Sequence, residues 1–183
     1  MVISSGVCGR FFLKKIILFY KTFIMLVCLI KDINKMTQIL ITLLFFFFME
    51  FIAWFSHKYV MHGFMWFWHE SHHKPRKGTF ELNDLFGFMF AIPSAWLIIL
   101  GAEAFDWRFF AGIGIALYGV AYFLVHDVFV HQRVKWLRVA RLKYFKAMRQ
   151  THHLHHEVHT KEGAEAFGFL FVPKRYLNKY GRD

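Results

Sequence analysis

The chain has 183 residues, of which 57% are hydrophobic and 21% aromatic, and its formal net charge is +11. This composition excludes an ordinary water-soluble domain, whose surface could not be so apolar. The basic residues accompany long Phe-rich runs, so their charge suits anionic lipid headgroups and indicates no nucleic-acid partner. Cys8 and Cys28 are the only cysteines and form no metal-finger or CxxC spacing, so no disulfide framework is indicated.

Residues 1–35 are predicted to be an N-terminal extension to a membrane domain that covers residues 36–183. The extension contains an apolar stretch from Ile16 to Ile30, which Lys21 interrupts. No small-residue cleavage site follows, so the stretch fits a marginal extra membrane segment or a non-native extension better than a signal peptide. Met36 is therefore a candidate for the native start.

Three later segments have the length and apolarity of membrane helices, and they run from Ile39 to Phe55, from Leu85 to Ala102 and from Phe109 to Val125. A short connection joins the last two, which predicts an antiparallel hairpin. The predicted fold class is all-α, an integral membrane bundle of three helices, or of four if the N-terminal stretch also spans. Glu50 lies inside the first span, where a carboxylate is costly, so it is a candidate functional or interhelical group.

The three spans also predict where the histidines lie. The first span ends before His57 and the hairpin returns at His126, so segments 57–84 and 126–183 should emerge on one side of the bilayer. All 12 histidines and most of the 23 Lys and Arg residues lie in these two segments. The positive-inside rule therefore places the histidines on the cytoplasmic face, which in a bacterium is that of the inner membrane.

Ten of the 12 histidines form four groups with the spacings HX4H, HX2HH, HX4H and HX2HH. Positions i, i+3 and i+4 share one face of a helix, so each HX2HH group is predicted to aim three imidazoles at a common point. Imidazole binds Fe, Zn, Cu and Ni, and ten rings exceed the needs of one ion, which predicts two metals. The predicted metal-binding and catalytic residues are His57, His62, His69, His72, His73, His126, His131, His152, His155 and His156.

Two acidic neighbours, Glu70 and Asp127, are candidates for orienting the ring N–H groups of these histidines, because ligating imidazoles usually donate their second nitrogen to an oxygen. Ordinary interfacial charge explains both carboxylates equally well. His153 and His159 fall outside the spacing and are predicted to have no part in the site.

The strings HKPRKGTFELND, HDVFVHQR and KEGAEAFGFL, with the four histidine groups, are similar to those of bacterial β-carotene 3-hydroxylases in the fatty acid hydroxylase superfamily. The likeness runs from about residue 36 to about residue 174. It implies a non-haem diiron monooxygenase that hydroxylates the 3-position of the β-ionone rings of a carotenoid. It also implies two iron ions, O2 as co-substrate and an external electron donor such as ferredoxin with its reductase, since the chain has no flavin, haem or Fe–S motif.

Two other functions stay open from the residues. The same superfamily includes sterol and fatty-acyl hydroxylases and desaturases. A histidine-rich membrane metal transporter is a further alternative, although the spans carry no ionisable path across the bilayer apart from Glu50. The basic segment from Arg133 to Arg149 fits either an acidic donor or a lipid surface.

Overall fold

A computed structural model describes Lys21 and residues 34–75, 78, 80–133 and 142–181. The chain divides into two compact units, Met1–Leu40 and Ile41–Asp183. In the first unit, Lys21 and residues 34–40 are helical, and the rest of the predicted extension lies outside the described residues. Throughout the described ranges the regular structure is helical and contains no strand, which confirms the all-α prediction.

Three helices are long and apolar enough to cross a membrane, as predicted. They are α1 (Asn34–Phe64), α3 with the preceding turn (Leu82–Gly101) and α4 with its continuation (Trp107–Val130). α1 and α4 are longer than their predicted spans because each helix runs on beyond the most apolar residues into the histidine-bearing sequence, whereas the second span is longer because of the turn Leu82–Asp84 at its start. Large apolar side chains project from them, such as Phe47 at 67% exposed and Ile99 at 69%. Such surfaces suit lipid, so the helices fit a membrane protein.

The shorter helices, apart from the last, carry seven further histidines. They are α2 (Trp66–His69), which continues into a 3₁₀ turn (Glu70–His73), then α5 (Lys143–His156) and α6 (Lys174–Tyr180). A second 3₁₀ turn, Leu82–Asp84, leads into α3 (Leu85–Gly101).

The hairpin of α3 and α4 packs through small residues. Ser94 Oγ donates to the Gly112 carbonyl at 2.8 Å, and a Cβ on Gly112 would come within 2.8 Å of the Ser94 carbonyl. Gly114 allows the same approach to α1, where a Cβ would lie 2.5 Å from the Thr42 carbonyl. A Cβ on Gly119 would meet nothing within 4 Å, so glycine is not required there. These close contacts pack the three spans against one another.

Candidate metal centre

All ten predicted histidines converge where α1, α2, α4 and α5 meet. Nine of them form two groups in which the candidate ligand atoms all lie within 4.8 Å of one another. The first group contains His57, His62, His69, His73 and His155, and the second contains His72, His126, His131 and His152. His156 lies beside the second group, because its Nε2 is 2.9 Å from Nε2 of His152.

Two π-helical turns explain the HX4H spacing. Positions i and i+5 are about 140° apart on an ideal α-helix and would face different directions. Here α1 ends in the π-helix Ser56–Phe64, and α4 continues as the π-helix Phe123–Val130. The wider turn, closed by i→i+5 hydrogen bonds such as His131 N–H to the His126 carbonyl at 2.9 Å, brings each pair together. The ring centroids of His57 and His62 are 5.3 Å apart, and those of His126 and His131 are 4.5 Å apart.

Each HX2HH group is divided between the two metal-binding groups, and the prediction that its three rings share one point is wrong. His69 and His73 belong to the first group, while His72 faces the second. On α5 the division is reversed, with His155 in the first group and His152 in the second. The physical reason is that positions i and i+4 are about 40° apart around a helix, whereas positions i+3 and i+4 are about 100° apart. Each HX2HH group therefore lies between the two sites and contributes rings to both.

The hydrogen bonds of the first group fix which ring nitrogen carries the proton. Each Nδ1 lies near an oxygen acceptor: the Phe167 carbonyl for His57, the Lys161 carbonyl for His62, the Asn83 amide oxygen for His69, the Val158 carbonyl for His73 and the Glu165 carbonyl for His155, at distances between 2.7 and 3.0 Å. A carbonyl only accepts, so Nδ1 must hold the hydrogen of a neutral ring.

The opposite nitrogens of these rings then face one another as bare lone pairs. Nε2 of His57 is 3.1 Å from Nε2 of His69, and Nε2 of His62 is 3.2 Å from Nε2 of His155. With both Nδ1 atoms protonated, neither contact has a proton to share, so neither is a hydrogen bond of neutral rings. Five converging lone pairs make a site for a cation, and a cation would remove their mutual repulsion.

The second group is surrounded by charged side chains. His72 donates from Nδ1 to Glu81 Oε2 at 3.0 Å, and the same carboxylate oxygen is 3.2 Å from Arg133. Arg133 also pairs with Asp84 at 2.8 Å and with Asp127 at 3.0 Å. Three carboxylates therefore surround one guanidinium, and the surplus negative charge favours a cation among the neighbouring imidazoles.

The two predicted orienting carboxylates occupy different environments. Asp127 is buried, and its Oδ2 lies 3.6 Å from Nδ1 of His126, too far for a hydrogen bond. Glu70 instead pairs with Lys74 at 2.8 Å, and its side chain is 41% exposed.

Sequence reasoning missed Glu81 and Asn83, which accept hydrogen bonds from His72 and His69. Both stand in the quoted string HKPRKGTFELND, which was the available signal.

Burial keeps these imidazoles neutral. It lowers the pKa of His69 to about 2, that of His131 to about 2 and that of His155 to about 3. The pKa values of His72 and His152 also fall well below 6.5, because burial and then the neighbouring imidazoles disfavour the charged ring. Neutral imidazole is the form that binds metal.

We expect the metal-free protein to lose stability as the pH falls from 7.5 to 5.5. In the unfolded chain histidine takes up a proton near pH 6.5, whereas His69, His131 and His155 stay neutral in the fold down to a pKa of about 2 to 3. Below pH 6.5 the unfolded state binds more protons, so each ring costs about 1.4 kcal/mol per pH unit. Thermal unfolding in detergent measures this, and a midpoint that stays constant over this range would contradict it.

Two aromatic rings cover the cluster. Phe169 stacks on His57 with a centroid distance of 4.9 Å, and Tyr122 stacks on His126 at 4.6 Å.

On another side of the cluster lies an open depression of about 300 Å³. It is lined by His72, His73, His131 and His156, and also by His153 and His159. His153 and His159 are exposed and belong to neither group of converging nitrogens.

Comparison with known proteins agrees with this site. The fatty acid hydroxylase family model matches residues 42–173, a range that includes all ten clustered histidines. The chain is 48% identical over 125 residues to the beta-carotene hydroxylase of Pantoea ananas, covering 68% of this chain and 71% of that protein. It is 37% identical over 139 residues to the beta-carotene hydroxylase of Paracoccus sp. (strain PC1), covering 75% and 86%. No solved structure matches the chain. On the family match and these identities, the chain belongs to the fatty acid hydroxylase family.

Proposed function

We propose that this protein is a membrane carotenoid hydroxylase that adds a hydroxyl group at the 3-position of β-ionone rings. It converts β-carotene to zeaxanthin through β-cryptoxanthin. The observation that carries the proposal is the two-part cluster of ten histidines, within a chain that is 48% identical to a bacterial protein named beta-carotene hydroxylase.

The donor set fits two iron ions. The first would be held by the five rings of the first group, and the second by the four rings of the second group together with His156. Neutral imidazole suits iron, and no cysteine lies in the quoted histidine strings to favour a thiolate zinc site. When bound, the iron ions supply the activation of O2 that oxidation of an unactivated C–H bond requires.

The chain's own residues prepare the site for this chemistry. The oxygen acceptors at Nδ1 orient the first-group rings and leave each Nε2 free to bind metal. Phe169 and Tyr122 cover the rings and exclude water, which would otherwise cause side reactions. Glu81 and Arg133 provide charge beside the second group.

The overall reaction needs two electrons and two protons from outside. One oxygen atom of O2 enters the hydroxyl group, and the other leaves as water. A soluble donor of the ferredoxin type, with its reductase, is the proposed electron source. The proposed substrate is an apolar molecule dissolved in the bilayer, and the two HX4H pairs lie at the ends of two spans, so we place its rings near these ends. We place this end on the cytoplasmic face of a bacterial inner membrane.

Expression in bacteria that accumulate β-carotene tests the proposal. Zeaxanthin should appear in the pigment extract, with β-cryptoxanthin as an intermediate, and isotope-labelled O2 should label the new hydroxyl groups. Anaerobic cultures should keep β-carotene unchanged. The matched control is His155→Ala, which removes one buried ring of the first group. Unchanged β-carotene in aerobic cells that hold the iron-loaded protein in their membranes would refute the proposed substrate and favour a sterol or fatty-acyl substrate.

A further inference from the structure

We infer that Glu50 is a positioning residue, which acts from inside the first span to hold His57 in place. Its carboxylate binds the segment Phe167–Phe171, and this segment in turn contacts His57. The inference rests on the proposed function, since it assigns Glu50 to the first of the two iron sites.

Four donors surround the Glu50 carboxylate. Oε1 accepts from the backbone N–H groups of Phe169 at 3.1 Å, Leu170 at 3.0 Å and Phe171 at 3.0 Å. Oε2 accepts from the Tyr118 hydroxyl at 2.7 Å. Consecutive backbone N–H groups aimed at one anion form a strong binding concavity, which offsets the cost of a carboxylate in a membrane span. With four donors in place, both oxygens are occupied, so the carboxylate is not arranged as a metal ligand.

The bound segment contacts His57 through Phe167 and Phe169. The Phe167 carbonyl accepts from His57 Nδ1 at 3.0 Å, which fixes the proton on Nδ1 and directs the Nε2 lone pair into the first group. The Phe169 ring stacks on the imidazole at 4.9 Å with an angle of 17° between the rings. Glu50 holds Phe169 directly and Phe167 through the chain, and these two residues orient His57.

Gly168, between these two residues, shows how closely the segment approaches the carboxylate. A Cβ at this position would lie 3.1 Å from the Phe171 carbonyl and 3.5 Å from Glu50 Oε1. The contact with Glu50 is an ordinary van der Waals distance, but the contact with the Phe171 carbonyl is tight, so an added methyl group would distort the turn that presents its N–H groups to Glu50. The second group is contacted less directly, because Phe169 meets His126 edge-on at 5.6 Å. Loss of the Glu50 contacts should therefore weaken the first site selectively.

Cobalt binding to the metal-free full-length protein tests this selectivity without relying on turnover. The wild type should bind two Co²⁺ ions, and the visible absorption of bound Co²⁺ measures the binding. Glu50→Ala should bind one ion with unchanged affinity and the other on the order of 10–100-fold more weakly. The weakly bound ion should be the one whose absorption is missing in His155→Ala, a variant of the first site. His131→Ala, a variant of the second site, should lack the absorption of the other ion. Glu50→Gln keeps an oxygen acceptor for the backbone N–H groups, so it should recover much of the lost affinity.

Ser94→Ala is the matched control, since it removes a buried hydrogen bond between spans at 2.8 Å but leaves the Glu50 segment intact. It should bind both ions normally. If Glu50→Ala does not accumulate in membranes, Gly168→Ala distorts the same segment through its contact with the Phe171 carbonyl and should show the same selective loss. Two ions bound with wild-type affinity in Glu50→Ala or Gly168→Ala, or equal weakening of both sites, would overturn the inference. A wild-type protein that binds fewer than two ions would instead contradict the proposed function.

Discussion

Replacing any one of the ten clustered histidines with Ala should reduce zeaxanthin formation to near background. Each ring contributes one nitrogen to a crowded set, and loss even of a group that only supports a ligand commonly costs on the order of 10–100-fold in metal affinity or activity. Removal of a ligand should cost more. The measurement is zeaxanthin per amount of membrane protein, with iron content determined on the same purified samples. The ten are His57, His62, His69, His72, His73, His126, His131, His152, His155 and His156.

His153 and His159 provide the matched controls for this series. Both side chains are exposed, and neither belongs to the two groups of converging nitrogens. His153 is only two positions from His155, which is fully buried on the same helix. We expect Ala at either control position to retain most of the turnover and both iron ions. Equal losses at His153 and His155 would show that the ligand assignment is wrong, and full activity in several of the ten variants would refute the two-iron site.

The three spans and the identity of the clustered histidines could be predicted because they depend on short-range signals. Hydropathy over about 20 residues identifies a span, and repeated spacing identifies the histidine groups. The division of rings between two sites could not be predicted in the same way. It depends on π-helical turns at Ser56–Phe64 and Phe123–Val130, which no local residue preference predicts. It also depends on the 100° angle between adjacent histidines, which aims His72 away from His73.

The partners of the histidines were harder to predict, since they lie far along the chain. Glu70 was a candidate because it follows His69 directly, yet adjacent helix positions point about 100° apart and its carboxylate reaches Lys74. Glu81 contacts His72 from nine positions further along the chain. Glu50 was recognisable as an unusual charge in a span, but its backbone partners are 119 to 121 positions later. Only the tertiary fold brings them together.

Replacing Glu81 should therefore damage the site far more than replacing Glu70. Glu81→Ala removes the acceptor that holds His72 Nδ1 at 3.0 Å, and it also deprives the half-buried Arg133 of one carboxylate. His72 is then free to rotate or to change its protonated nitrogen, and the positive charge of Arg133 is less fully compensated beside the second group. We expect a loss on the order of 10–100-fold in metal affinity or activity, concentrated in the second site.

Glu70→Ala removes only an exposed i,i+4 pair with Lys74, which contributes about 0.3–0.5 kcal/mol to stability, so activity should stay near that of the wild type. Glu81→Gln separates the two roles of Glu81, because its amide oxygen can still accept from His72 while its charge is lost. If orientation of His72 dominates, Gln recovers most of the activity; if charge dominates, Gln is as damaging as Ala. Both outcomes keep Glu81 as the partner of His72. Equal activity of Glu70→Ala and Glu81→Ala, with both proteins at wild-type levels in the membrane, would show that the second site does not need the Glu81 carboxylate.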